Sequence, residues 1–287
     1  MTVKEAAVAI KSGIIDYYDT REAAAITERL MEALTGYRRV DRILHDREVL
    51  TMHQLAGLKT AIRYLKLKMP VQYILGYSYF GDLKLKVNNQ VLIPRPETEE
   101  LVDWVKETWE ADQKNTRGQL IDLCTGSGCI ALALKKALPQ VSIQGFDLSD
   151  GALGVARHNS RLTELEVDFF KMDVLDKKQT SQLPLVDCIV SNPPYIHVEE
   201  KEQMEAHVLD YEPLMALFPL QDTDATIFYR HIATLAAEKL HPGGYLFFEL
   251  NPLYADEIQD AVKRAGLSKV EIRKDMQGLE RMMKAVK

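Results

Sequence analysis

The chain has few of the residues that build disulfides and metal sites. It contains only three cysteines, Cys124, Cys129 and Cys188, and none of them lies in a C-x-x-C pair. The seven histidines are scattered, and no two have the i, i+4 spacing of a metal-binding pair on a helix. An odd number of cysteines without paired spacing favours reduced thiols, so we expect a cytoplasmic protein and no metal site.

Long apolar runs and targeting signals are also missing. No apolar run approaches the roughly 18 residues that indicate a membrane-spanning helix. The first residues lack the charged start and apolar stretch of a signal peptide, so we expect no membrane association. The 287 residues are 46% hydrophobic and 27% charged, which is typical of a globular protein with one large or two modest domains.

Basic charge is scarce over most of the chain. The formal net charge is −6; residues 1–68 carry 12 Lys and Arg against 9 Asp and Glu, and the remainder carries 24 against 33. Contacts to phosphates need clustered Lys and Arg, so the acidic remainder argues against general binding of nucleic acid. A solvated helical face explains the small basic excess at the N-terminus equally well.

The patterning predicts three regions. Residues 1–69 show no strand alternation and carry Leu55, Leu58, Ile62 and Leu65 at helical spacing, which indicates a small helical bundle. Residues 70–90 contain an alternating segment around Gly81-Asp82 and predict a β-hairpin linker. In residues 91–287, short apolar runs alternate with helical segments. This is typical of an α/β domain with an open Rossmann-like sheet, here of about seven strands.

A glycine-containing turn follows the first predicted strand of that sheet. Its residues are Cys124-Thr125-Gly126-Ser127-Gly128, and a helix is predicted to start directly after it. The glycines let a ligand approach the backbone, and the helix N-terminus supplies free N–H groups. Asp147 ends the next strand 19 residues beyond Gly128, the spacing of a carboxylate that binds ribose hydroxyls. A nucleoside-bearing cofactor is therefore predicted. Gly126-x-Gly128-x-x-Ala131 also fits the dinucleotide fingerprint, so the turn alone leaves a nicotinamide open.

A second strand end carries Asn192-Pro193-Pro194-Tyr195. The two prolines stop strand pairing, and Asn192 is pushed towards an extended backbone. In this rigid corner, the Asn192 carbonyl and the backbone carbonyls can accept both hydrogens of a planar NH2 group, while Tyr195 offers a face for stacking. Such acceptors orient a poorly nucleophilic nitrogen towards an electrophile. The corner therefore predicts an NH2 group that accepts a methyl group, and it does not suit hydride transfer.

Two further positions have open interpretations. Asp173 follows the third strand, where it is placed to meet an adenine amino group or is an ordinary loop residue. Arg95 lies between two prolines, which make a stiff segment, and Glu97 follows just beyond it. Arg95 is either a surface charge or a binding residue held by this segment.

With these features the chain resembles the class I S-adenosylmethionine methyltransferases that methylate the glutamine side chain of peptide-chain release factors. The resemblance covers nearly the whole chain and extends to Tyr211-Glu212-Pro213. It is strongest in residues 70–76 (PVQYILG), 92–99 (LIPRPETE), 122–128 (DLCTGSG) and 191–196 (SNPPYI).

The resemblance implies a cofactor, a partner and roles for residues. S-adenosylmethionine would be bound by residues 124–128, Asp147, Asp173 and Val174, with a contact from Asn192, and S-adenosylhomocysteine would be the product. The N-terminal helices would dock a release factor. The protein would act as a monomer and would make no direct contact to nucleic acid. The glutamine amide of its Gly-Gly-Gln motif would be held by the Asn192 side chain and the Pro193 carbonyl, in a slot lined by Tyr195. Pro194, Arg95 and Glu97 complete the expected acceptor site.

Two residues depart from the family pattern, and three rival functions are compatible with parts of the sequence. Cys124 stands where the family often has glycine, which predicts a slightly altered turn, and Val174 stands where an aromatic residue is common. The rivals are an adenine-N6 methyltransferase acting on DNA or RNA, a non-catalytic binding module and a nicotinamide oxidoreductase. The acidic balance and residues 92–99 argue against the first, and the intact residues 192–195 argue against the second.

Overall fold

A computed structural model describes residues 1–112, 117–219 and 224–287. The chain divides into two compact units, Met1–Gly76 and Tyr77–Lys287. The first unit thus extends to Gly76, and the hairpin falls in the second unit. The division of roles among residues 1–69, 70–90 and 91–287 stays a prediction.

The first unit is helical, and its helix boundaries follow local capping signals. The Asp19 side chain accepts the backbone N–H groups of Arg21 and Glu22, and Gly36 ends the same helix with φ of 72°. Thr51 begins a later helix with a capping box. Four of the unit's five helices, all except Arg39–Leu44, contribute apolar side chains to one buried core. The helices are α1 (Val3–Ile14), α2 (Thr20–Thr35), α3 (Arg39–Leu44), α4 (Met52–Lys66) and α5 (Val71–Leu75).

The predicted hairpin is confirmed. It consists of β1 (Tyr77–Phe80) and β2 (Leu83–Lys86), which pair antiparallel across Gly81-Asp82. Its apolar side chains are buried in the core of the second unit. Asn159 accepts the Lys86 N–H at 2.7 Å and donates to the Lys86 carbonyl at 3.1 Å, which fastens the hairpin to that unit.

The second unit is built on a seven-stranded sheet, which confirms the predicted α/β fold with about seven strands. Its order is β5-β4-β3-β6-β7-β9-β8; the first five strands are parallel, and β9 runs antiparallel to its two neighbours. The strands are β3 (Gln119–Leu123), β4 (Ser142–Asp147), β5 (Asp168–Lys171), β6 (Val186–Ser191), β7 (Leu240–Glu249), β8 (Ser268–Lys274) and β9 (Glu280–Val286). The chain winds outward from β3 in one direction and returns to β6 on its other side. The carboxyl ends of β3 and β6 therefore meet at a topological switch point, where open α/β sheets bind ligands.

Helices cover both faces of the sheet. Cys188 and Val190 are buried in the core on one face and Ile189 in the core on the other, as expected for a strand between two helical layers. The helices α6, α7 and α8 contribute to the first core, and α12 and α13 to the second. The helices of this unit are α6 (Pro96–Ala111), α7 (Cys129–Ala137), α8 (Asp150–Thr163), α9 (Lys177–Thr180), α10 (Ala206–Tyr211), α11 (Leu214–Leu217), α12 (Ile227–Lys239) and α13 (Ala255–Arg264), with 3-10 turns at Val198–Gln203 and Pro252–Tyr254. In the parts of the chain that the structure describes, no helix combines the length and apolarity needed to cross a membrane.

Close packing beneath the glycine-containing turn gives a stability prediction. A Cβ atom on Gly145 would lie 2.5 Å from a ring carbon of Phe169 and 2.8 Å from Thr125 Oγ1. We expect Gly145→Ala to lower the free energy of unfolding by about 1–3 kcal/mol, because both neighbours are buried and must move. Gly154→Ala in α8 is the matched control, since its Cβ would meet nothing within 4 Å. Urea denaturation of both variants measures the difference, and equal stabilities would contradict the prediction.

Candidate active site at the switch point

The turn after β3 has an unusual backbone. Cys124, Gly126 and Gly128 have φ angles of 61°, 55° and 80°, in the left-handed region. The Thr125 N–H donates to the Phe146 carbonyl at 2.9 Å, which holds the turn against β4. Cys124 therefore keeps a conformation that glycine adopts readily, at a cost of about 1–2 kcal/mol for a residue with a Cβ.

Asp147 at the end of β4 organises this turn. Its Oδ2 accepts the Gly126 N–H at 2.8 Å, and its Oδ1 accepts the Ser149 N–H at 2.9 Å. Burial raises the pKa of Asp147, although both N–H donors favour its charged form. A carboxylate has about four acceptor positions, so two backbone donors leave capacity for the hydroxyl groups of a ligand.

Two neighbouring cavities open at the switch point. The larger has a volume of about 190 Å³ and is mainly apolar, with walls from Met172, Val174, Phe218, Ile227 and Phe228. The smaller has a volume of about 70 Å³ and extends from the turn to residues 90–98. Four residues line both cavities: Cys124, Asp147, Pro194 and Met215.

The structure brings most of the candidate site residues to these cavities. Asp173 and Val174 line the larger cavity, and the smaller one is lined by Arg95, Thr125, Gly126, Ser127 and Asn192. Four candidates line neither cavity: Glu97, Gly128, Pro193 and Tyr195. Gly128 caps the start of α7, and Glu97 accepts a hydrogen bond from Gln277 at 3.2 Å.

The corner after β6 is held by hydrogen bonds. Ser191 Oγ donates to the Leu123 carbonyl at 2.7 Å, which ties β6 to β3. Asn192 Nδ2 donates to Thr98 Oγ1 at 3.3 Å. The Tyr195 hydroxyl donates to Glu249 Oε1 at 3.2 Å, and burial raises the pKa of Tyr195 well above its ordinary value. The Tyr195 hydroxyl is thus anchored in the protein interior at Glu249.

A buried carboxylate fixes the segment that carries Arg95. Glu212 is 4% exposed; it accepts the Ile93 N–H at 3.1 Å and pairs with Arg95 Nη2 at 2.6 Å. Arg95 therefore has a protein partner and still borders the smaller cavity. The sequence identified Tyr211-Glu212-Pro213 as a matching segment but assigned it no role.

Asp122 is a buried acid that the sequence analysis did not single out, although it belongs to the matching segment 122–128. It is 0% exposed, and its Oδ2 accepts the Thr125 hydroxyl at 2.5 Å. Its Oδ1 has no hydrogen-bond partner among the described residues. Burial raises the pKa of Asp122 to about 7. Because it is buried, this carboxyl group is protonated more readily in the folded protein than in the unfolded chain, although the Thr125 hydroxyl favours its charged form.

This raised pKa predicts a pH-dependent stability. The unfolded pKa is about 3.9, so the contribution of Asp122 is fully present below that pH and is lost as the pH rises through about 7. We expect the wild type to lose up to about 4 kcal/mol between these limits through this group. Asp122→Asn should remove this part of the pH dependence while it still accepts the Thr125 hydroxyl. Urea denaturation across this pH range measures it; the same slope in both proteins would contradict it.

Two family models match parts of the chain. Residues 107–209 match the family model described as "Methyltransferase small domain", and residues 17–76 match "PrmC N-terminal domain". A solved structure of a methyltransferase from Pyrococcus furiosus superposes with a TM-score of 0.52 at 16% identity, covering 80% of this chain and 98% of that one. The fold is therefore that of a methyltransferase.

Over residues 1–112, 117–219 and 224–287, no group of three or more His, Cys, Asp or Glu could hold a metal ion.

Full-length relatives define the family. The chain is 37% identical to the release factor glutamine methyltransferase of Flavobacterium psychrophilum, over 99% of both chains. It is 38% identical to the protein of the same name from Bacteroides thetaiotaomicron, over 96% of this chain and 97% of that one. The chain belongs to the release factor glutamine methyltransferase family, which confirms the predicted resemblance.

Proposed function

We propose that this protein transfers a methyl group from S-adenosylmethionine to the side-chain amide nitrogen of the Gly-Gly-Gln glutamine in peptide-chain release factors. Family membership supports this reaction. The observation that carries the proposal for this chain is the position of Asn192 on the wall of a cavity shared with Asp147 and the glycine-containing turn. An acceptor for NH2 hydrogens thus lies beside a site suited to a nucleoside.

The two cavities suit the parts of S-adenosylmethionine. The apolar walls of the larger cavity match an adenine ring, and Asp147 and Asp173 offer carboxylates to hydroxyl and amino groups. Residues 125–127 of the glycine-containing turn line the smaller cavity, where they could contact the part of the cofactor that lies beyond its adenosine. When bound, the cofactor supplies an electrophilic methyl group on a sulfonium. The protein residues then need to hold and orient the group that accepts it.

The acceptor nitrogen needs orientation because an amide NH2 is a poor nucleophile. The Nδ2 group of Asn192 donates to Thr98 Oγ1, and the Oδ1 atom of Asn192 accepts no hydrogen bond from the described residues. We assign this oxygen and the Pro193 carbonyl to the two hydrogens of the glutamine amide. Holding both hydrogens directs the nitrogen towards the methyl group, which is catalysis by positioning and electrostatics. The extra proton leaves to water after transfer.

The proposal also covers the role of the helical first unit and the cellular compartment of the reaction. We assign docking of the release factor to the helical unit, whose residues 17–76 match the PrmC N-terminal domain. We place the reaction in the cytoplasm, where release factors act and where three free cysteines stay reduced.

Mass spectrometry of an unmethylated release factor tests the proposal. After incubation with this protein and S-adenosylmethionine, we expect one added methyl group on the Gly-Gly-Gln glutamine. A release factor with alanine at that glutamine is the matched control and should gain nothing. No transfer to the release factor would refute the proposed substrate, and methylation of adenine in DNA or RNA offered in parallel would support the rival function.

A further inference from the structure

We propose that Glu249 and Thr98 form an orienting chain that fixes the side-chain amide of Asn192 with its oxygen available to the substrate. The chain consists of Glu249, Thr98 and Asn192, linked by hydrogen bonds in that order. It deepens the proposed function and rests on it for the reaction. Thr98 and Glu249 act through Asn192 and are positioning residues.

The need for such a chain follows from the chemistry of asparagine. The two ends of its amide are similar in size but opposite in role, since Oδ1 accepts and Nδ2 donates. A half-turn of the amide would present an NH2 group to the NH2 group of the substrate. Asn192 can therefore act as an acceptor only if the protein distinguishes its two ends.

Thr98 supplies that distinction because a hydroxyl group has a single hydrogen. Thr98 Oγ1 lies 2.6 Å from Glu249 Oε2, and a carboxylate only accepts hydrogen bonds. The Thr98 hydrogen is thus committed to Glu249, and Thr98 Oγ1 can only accept from Asn192, 3.3 Å away. A turned amide would place Asn192 Oδ1 against an oxygen with no hydrogen left to donate.

Glu249 is itself held in place. Its other carboxylate oxygen accepts the Tyr195 hydroxyl. Burial raises the pKa of Glu249, whereas the hydrogen bond from Thr98 and the positive charge of Arg281 favour its ionised form. Thr98 and Glu249 are each 2% exposed, so their hydrogen bond lies away from bulk water. Thr98 lies in the first turn of α6, and Glu249 ends β7, the neighbour of β6 in the sheet. Three separate elements thus converge on one amide.

Two substitutions at Thr98 test the chain kinetically. Thr98→Val keeps the shape but removes the hydroxyl, and we expect kcat to fall roughly 10- to 100-fold, the range for a buried hydrogen bond. KM for the release factor and Kd for S-adenosylmethionine should change little. Thr98→Ser restores the hydroxyl and should recover most of kcat. A merely structural role predicts instead that KM and Kd change with kcat, or that serine fails to rescue.

A spectroscopic measurement tests the chain without any methyl transfer. The protein has six asparagines, so selective 15N labelling of asparagine side chains gives at most six NH2 signals. The signal of Asn192 is the one lost in Asn192→Ala. In Thr98→Val it should shift and exchange faster with solvent, whereas in Thr98→Ser it should stay near its wild-type position. An unchanged Asn192 signal in Thr98→Val would overturn the chain.

The two measurements separate this inference from the proposed function. If the wild type methylates no release factor, the proposed function fails, and the NMR signal of Asn192 still decides whether Thr98 orients it. If Thr98→Val does not fold, Thr98→Ala removes the same hydroxyl without adding a methyl group beside Asn192 and gives the same readout. Wild-type kcat together with an unshifted signal in either variant would refute the chain.

Discussion

Replacing Asn192 with alanine should reduce kcat for release factor methylation roughly 100- to 1,000-fold. Other enzymes lose about this much when one preorganised hydrogen-bonding group is removed from the active site. The Pro193 carbonyl alone cannot hold both hydrogens of the substrate amide. The cofactor should still bind within about threefold, since the apolar cavity and Asp147 are unchanged. Single-turnover kinetics and calorimetric titration with S-adenosylmethionine measure the two quantities separately.

A surface asparagine provides the control for this result. Asn89 is exposed and accepts a hydrogen bond from the neighbouring Gln90 at 3.3 Å, so Asn89→Ala should leave kcat and Kd at their wild-type values. Turnover of Asn192→Ala within tenfold of the wild type would exclude Asn192 as the principal acceptor. Equal losses of turnover and cofactor affinity would instead assign Asn192 to cofactor binding.

Replacing Asp147 with asparagine should weaken binding of S-adenosylmethionine roughly 10- to 100-fold. The carboxylate accepts the N–H groups of Gly126 and Ser149 through separate oxygens. An asparagine has one oxygen, so its NH2 group would face one of these N–H groups and displace either the turn or the start of α8. The same substitution also removes acceptor positions for the hydroxyl groups of the ligand. Calorimetric titration of the cofactor measures the effect.

A neighbouring acid supplies the matched control for Asp147. Asp150 lies three residues further along the chain, is exposed and pairs with Lys171 at the surface. Asp150→Asn makes the same chemical change and should leave Kd unchanged. Equal affinities for the two variants would show that Asp147 does not bind the cofactor.

Features encoded within a few residues were predictable. The Asp19 cap and the Gly81-Asp82 hairpin each depend on contacts between near neighbours in the chain. The glycines of the turn at residues 124–128 were also predictable, whereas its hydrogen bonds to Phe146 and Asp147 join residues 21 positions apart. The Pro193-Pro194 corner ends its strand through the covalent geometry of proline. Strand positions in the sheet followed the apolar pattern because both faces of the sheet are covered by helices.

Features that depend on distant residues were not predictable from one sequence. Thr98 meets Glu249 across 151 positions, and Ile93 meets Glu212 across 119. The bulge at residues 241–244 of β7 lies between the Leu240–Val186 pair and the Tyr245–Cys188 pair, so it also depends on the neighbouring strand β6. The position of Tyr195 against Glu249 likewise depends on a neighbouring strand.

The four residues common to both cavities have a thermodynamic consequence. A ligand in the larger cavity changes the solvation of Cys124, Asp147, Pro194 and Met215, which also face the smaller one. If binding at one cavity alters affinity at the other through this wall, the effect is reciprocal: the factor by which cofactor alters affinity for the acceptor equals the factor by which acceptor alters affinity for the cofactor. The wall formed by these four residues is where such a coupling between cofactor and acceptor would act.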